Sequence, residues 1–265
     1  MNFDSLRFLM TGGHKKQIIE IYELLRPQSF NGLRKIRVGN READGGYVMA
    51  DDFEKITAVL SLGIGAEVSW DIEIADRGIE VFQFDHTVDA PNEVAGNPRL
   101  HFHKMGIAGK TDPTARMKSL PDVLSEELSE HTGDLILKID IDGYEWEVFT
   151  DMPNEVLQRF RQICIEIHNP LARPGQRGRR LRNLAVLRKL SRYFRPVHLH
   201  ANNAGPVRSI CGLELPKLLE ICYLRDDGQD FTDSKEILPG EFDVPNVPGT
   251  PEINVGRIFE CGGAI

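Results

Sequence analysis

A series of short, almost uninterrupted apolar runs constrains this chain more than any other feature. They span residues 58–62, 79–84, 100–105, 135–141, 163–167, 197–200 and 218–224, and segments with helical spacing separate them. A strand that is apolar on both faces has to be covered on both faces, which is how a parallel sheet between helix layers reads. The expected fold class is therefore α/β, a Rossmann-like, doubly wound sheet of seven strands with helices on both faces and an N-terminal helical cap.

The intervening segments supply the crossovers. Leu120, Val123, Leu124 and Leu128 share one helical face in 119–131; Val148, Phe149, Val156, Leu157 and Phe160 do so in 144–160, which Pro153 divides; Leu184, Leu187 and Leu190 do so in 181–194. Right-handed βαβ connections follow. Ahead of the sheet, 16–25 reads as an amphipathic helix, and Asp44-Gly45-Gly46 marks a hairpin within 37–50. Behind it, Pro239, Pro245, Pro248 and Pro251 indicate an extended segment. The expected organisation is a helical cap over 1–35, a core over 36–225 and a packed-on tail over 226–265.

Composition narrows the partners. A chain of 265 residues that is 41% hydrophobic can bury one large core with elaborations. A net charge of −8 argues against a nucleic-acid binder. Cys164, Cys211, Cys222 and Cys261 form no C-x-x-C pair, and no apolar stretch reaches the length of a signal peptide or a membrane span. A cytoplasmic protein with a small-molecule partner is expected, with no membrane partner and with room for a homo-oligomer.

Ligands of doubly wound sheets collect at the carboxyl ends of the strands. The first strand ends in Gly63-Ile64-Gly65, where side chains would block close approach of a ligand to the backbone, and the second ends at Asp85, a carboxylate placed for ribose hydroxyls. Val68 stands where a dinucleotide fingerprint needs its third glycine, and Glu67 would repel phosphates. A phosphate-free sulfonium donor, S-adenosylmethionine, suits such a turn.

The fourth strand emerges into Asp140 and Asp142, the fifth into His168-Asn169 and the sixth into His200. Carboxylates and imidazoles from adjacent strand ends can move protons or hold a divalent cation, so Asp140, Asp142, His168 and His200 are the expected metal or proton-transfer set. Glu166 and Lys138 read as a pair within the sheet, and His101, His103 and His198 as structural. Arg173, Arg177, Arg179, Arg180 and Arg182 follow as a loop that either closes over an anionic substrate or is simply solvated.

Taken together, Asp44-Gly45-Gly46-Tyr47, Leu60-Ser61-Leu62-Gly63-Ile64-Gly65, Phe84-Asp85 and Leu137-Lys138-Ile139-Asp140-Ile141-Asp142-Gly143-Tyr144-Glu145 resemble the FkbM-like class I S-adenosylmethionine-dependent methyltransferases over roughly residues 34–250. The resemblance implies a last strand running antiparallel. It implies donor contacts from Asp44, Gly46, Gly63, Gly65, Trp70, Asp85, His86, Ile107, Ala108 and Asp140. The Asp140-x-Asp142 spacing is similar to that of macrocin-type sugar O-methyltransferases, which implies magnesium on Asp140 and a base at Asp142. Those enzymes carry acidic residues at the fifth strand end, where this chain has His168-Asn169.

The expected activity is O-methylation of a small polar or sugar-like acceptor by direct displacement, with Asp142 as base and His168 as its competitor. A divalent cation on Asp140, His168, Asn169 and His200 is an optional assistant. An NAD-dependent oxidoreductase and a non-catalytic adenosyl-binding protein are the rival readings.

Overall fold

The computed structural model describes residues 12–172, 175–210, 213–256 and 259; Arg173, Cys211 and Cys261 lie outside these. All seven apolar runs form strands of one sheet: β1 (Ile56–Leu62), β2 (Glu80–Phe84), β3 (Leu100–His103), β4 (Asp134–Ile139), β5 (Phe160–His168), β6 (Phe194–Ala201) and β7 (Leu218–Arg225). Their order across the sheet is β3-β2-β1-β4-β5-β7-β6. Neighbours from β3 to β5 are parallel, whereas β7 runs antiparallel to both β5 and β6.

Side chains alternate between two cores, as strand geometry requires. Leu60, Leu62, Leu135, Leu137, Ile139, Ile163 and Ile165 face one layer. It is covered by helices α1 (Gly12–Leu24), α3 (Leu120–Glu127), α4 (Glu145–Asp151), α5 (Asn154–Leu157) and α6 (Arg177–Leu190). Val59, Val81, Ile136, Cys164 and Cys222 face the other layer, which α2 (Ser69–Asp76) covers through Trp70 and Ile74. The hairpin of Lys35–Gly39 and Gly46–Ala50 completes that layer with Val38, Tyr47 and Met49.

The two elements ahead of β1, α1 and the hairpin, pack on opposite layers. Ile21, Tyr22 and Leu25 join the first core, while the hairpin expected within 37–50 shares the second face with α2. Pro153 separates α4 from α5 as its missing N–H dictates. The arginine segment is helical from Arg177, not a loop through Arg182. Asn246 of the tail reaches back to bond both Asp44 and Glu220. Among the described residues, no helix is long and apolar enough to cross a membrane.

The chain reverses its direction of growth between β1 and β4, and that seam is tight. The N–H of Asp140 donates to the Leu62 carbonyl at 2.9 Å, and a Cβ on Gly63 would lie 1.7 Å from the Asp140 carbonyl oxygen. Gly63 also has φ +72°, a region that favours glycine. Glycine is required here by the neighbouring strand's backbone, not only by ligand access. Replacing Gly63 with alanine is expected to cost about 2–4 kcal/mol of folding stability. Equilibrium denaturant unfolding checks this, and a variant as stable as the parent would show that the seam opens freely.

Candidate functional site

Two cavities meet at this seam. The first, roughly 410 Å³, is bordered by Gly63, Gly65, Asp85, His86, Ile107 and Asp140, six of the residues expected to contact a donor. Asp85 shapes its floor: Oδ2 accepts the Gly65 N–H at 3.0 Å, and Oδ1 accepts both the N–H and the hydroxyl of Thr87 at 2.7 and 2.6 Å. Burial pushes its pKa up, but these hydrogen bonds outweigh burial and leave it below the ordinary value.

Other expected donor contacts sit elsewhere. Trp70 is fully buried in the second core, where a large apolar ring is held by Ile74 and Val81 rather than offered to a ligand. Gly46 opens the hairpin's second strand against the Asn40 carbonyl and Arg37, and Asp44 caps the Gly45 N–H while binding Asn246. Ala108 is tied by its N–H to Lys118 beside the cavity, not in its wall. Glu67 turns away as well: its Oε1 accepts the Ser69 N–H at 3.1 Å, at the start of α2.

The second cavity, roughly 470 Å³, shares Asp142 and Tyr144 with the first. His168, Asn169, Arg179 and Arg182 form much of its remaining wall. Strand β4 ends at Ile139, and the chain then turns through Asp142 (φ 55°) and Gly143 (φ 100°). Asp140 and Asp142 therefore do not share a strand face. Asp140 is half-buried, whereas the Asp142 side chain is 99% exposed at the boundary of the two cavities.

One carboxylate holds this turn against β5. Glu145, fully buried, accepts the Gly143 N–H through Oε2 and the His168 N–H through Oε1, both at 2.7 Å. The indole N–H of Trp146 donates to the His168 carbonyl at 2.8 Å. His168 is thereby fixed with Nδ1 3.4 Å from Glu145, and Nε2 3.4 Å from Glu166 and 3.6 Å from Asp142.

Glu166 and His168, two apart on β5, project from the same face, and Asp140 extends that face from neighbouring β4. One ligand atom from each lies within 4.8 Å of the others. Burial, then the negative charges of Asp140 and Glu220, raise Glu166 to about 8; burial, opposed by Lys138 and His168, raises Asp140 to about 6. His168 reaches about 9, because Glu145, Glu166 and Asp140 together outweigh the opposing effect of burial.

Glu166 is thus part of the site instead of pairing with Lys138, whose ammonium lies over the Tyr47 ring at 5.8 Å. The signal for it was the E-x-H alternation at a strand end. Glu145 stood within the fourth-strand motif with no role assigned to it. His200 leaves the expected metal set: inserted β7 separates β6 from β5, and buried His200 pairs with Glu220 at 3.0 Å and Glu252 at 3.1 Å. His198 is structural, as expected, bonded to Asp243 at 2.8 Å.

The His168 imidazole is expected to titrate near pH 9 in metal-free protein, and Glu145→Gln to move that midpoint down toward the ordinary value, as read by NMR. Because the fold raises the proton affinity of His168, its contribution to stability is complete below about pH 6.5 and disappears as the pH rises through about 9. A midpoint at or below the ordinary histidine value would contradict the arrangement.

No protein-family profile matches this chain, and no curated protein matches it. Among solved structures, the chain is similar to bluetongue virus VP4, described as a multifunctional RNA-capping production line, with 14% identity over 56% of this chain and a TM-score of 0.32. The match spans 25% of that viral chain.

Proposed function

We propose that this protein is an S-adenosylmethionine-dependent methyltransferase with the class I methyltransferase arrangement, acting on an oxygen of a small polar acceptor. The observation that carries the reading is the charge of the first cavity. Asp85, Asp140 and Asp142 line it, and among the described residues no lysine or arginine does. Such a wall favours a sulfonium and an α-ammonium group and repels a pyrophosphate. The start of α2, where a dinucleotide phosphate would rest, is engaged by Glu67.

Two further features support the reading. The reversed last strand agrees with the resemblance, and its insertion between β5 and β6 differs from the 3-2-1-4-5-6 order of dinucleotide folds. Gly65, in the cavity wall, leaves room for a ligand to lie against the backbone: no protein atom lies within 4 Å of where its Cβ would be.

S-adenosylmethionine, when bound, supplies an electrophilic methyl group on sulfur. The acceptor hydroxyl occupies the second cavity, where the Asp142 carboxylate takes its proton as the new C–O bond forms and the C–S bond breaks. With the donor bound, methyl transfer would leave a neutral thioether, so a positive charge would be lost beside the acidic wall. Positioning by the shared wall of Asp142 and Tyr144 supplies most of the acceleration. His168, protonated between Glu145 and Glu166, orients Asp142 from 3.6 Å.

The donor set of Asp140, Glu166 and His168 also fits a hard divalent cation such as magnesium, which would lower the acceptor's pKa. Its binding would require His168 to lose its proton.

Calorimetric titration is expected to show binding of S-adenosylmethionine and not of NAD; binding of NAD alone would overturn the reading. With labelled donor and a small-molecule extract, Asp142→Asn is expected to lower label transfer by about 100-fold or more, far more than it weakens donor binding. Asparagine tolerates the positive φ of this turn, so equal transfer by the variant removes Asp142 as base.

A further inference from the structure

We infer that the second cavity selects an acceptor bearing a carboxylate or phosphate, which Arg179 and Arg182 of α6 receive. This rests on the methyltransferase reading and adds the substrate class to it.

The two cavities share one wall and differ in charge. The first holds carboxylates and no cationic side chain among the described residues; the second sets Arg179 and Arg182 beside the carboxylates of Asp142 and Glu147 and the imidazole of His168. Arg179 is exposed and has no hydrogen bond or ion pair among the described residues. Arg182 is partly covered, with Nη1 3.6 Å from Glu147, a longer contact than a charge-assisted hydrogen bond. Its guanidinium also lies 3.3 Å from the Asn183 amide oxygen, which fixes its direction. Asn183 is itself buried and anchored by bonds to the carbonyls of Asn169 and Pro170. The arginine wall is thus tied to the strand end that carries His168.

Helix α6 has no acidic residue in its first turn, no side-chain cap, and arginines at 177, 179 and 180. Cations at a helix N-terminus oppose the helix dipole. An acid there would serve the helix; of the three arginines, Arg179 lines the adjoining cavity, where it would serve an anion. Arg180 has a different task, since it is buried and bonds Gln17 of α1 at 2.8 Å. The volume of roughly 470 Å³ lies within the ~300–1,000 Å³ of small-molecule sites, which suits a compact hydroxy acid or hydroxy phosphate.

The test uses the full chain at low ionic strength, with inorganic phosphate and glycerate as separate calorimetric probes and S-adenosylmethionine as a third titrant. At least one oxyanion is expected to bind the parent, and to bind the Arg179→Gln/Arg182→Gln variant at least ~10-fold more weakly, with donor affinity unchanged. Phosphate alone or glycerate alone identifies which anion the wall prefers. Arg179→Glu, at an exposed position, is expected to abolish oxyanion binding without lowering the melting temperature. Equal oxyanion binding by parent and variants would overturn the inference, as would binding of neither probe. Loss of donor binding in the parent with oxyanion binding intact would instead overturn the methyltransferase reading and leave the anion site standing.

Discussion

The architecture of the site depends on one buried carboxylate. Glu145 has no exposed surface, and its two oxygens accept backbone N–H groups from separate segments, Gly143 after β4 and His168 at the end of β5. A buried carboxylate is tolerable only when its oxygens are satisfied. The fold therefore cannot relax one of these loops without exposing the other to a large desolvation penalty. Asp142, His168 and the shared wall of the two cavities inherit their positions from this clamp, which packing alone would not fix on a turn with successive positive φ values.

A second constraint runs across the sheet. Asp140, Glu166, Glu220 and His200 succeed one another on the same face over β4, β5, β7 and β6. Such a row of ionisable groups could not survive burial if each were left alone. Asn202 donates to Glu166, Asn246 donates to Glu220, and Glu252 from the tail joins Glu220 on His200, which is raised to about 10 because these partners outweigh its burial. The tail is consequently part of the electrostatics of the sheet as well as its covering. The end of the row with no such cover, at Asp140 and His168, is the end that opens into the cavities.

The seven strands were legible because each is apolar on both faces, and the split of α4 from α5 because Pro153 lacks a donor. What the sequence could not convey was lateral order. Reading His200 as a neighbour of His168 assumed that successive strands lie side by side, and the insertion of β7 removes that adjacency. Trp70 was misplaced for a related reason: its position near the glycine turn says nothing about which face of α2 it occupies, and the face it takes is the core. Glu166 was hidden by its plausible partner Lys138, two residues out of register on the adjoining strand. The Asp142 turn was obscured because the run read as the fourth strand continues to Ile141, two residues beyond the end of β4.

Charge segregation explains why the overall charge of −8 carries so little functional information by itself. Exposed charges more than about 10 Å apart are largely screened at ordinary salt, so a ligand responds to the wall it touches and not to the total. Under the proposed reading, a cationic donor meets Asp85, Asp140 and Asp142, while the acceptor enters past Arg179 and Arg182. Asp142 stands at the only boundary those two walls share among the described residues. A carboxylate there attracts the donor's charge from one side and takes the acceptor's proton from the other. Under the same reading, loss of the sulfonium charge on transfer would weaken the hold of the acidic cavity on the spent donor, so the wall that binds the donor would also favour release of what remains of it.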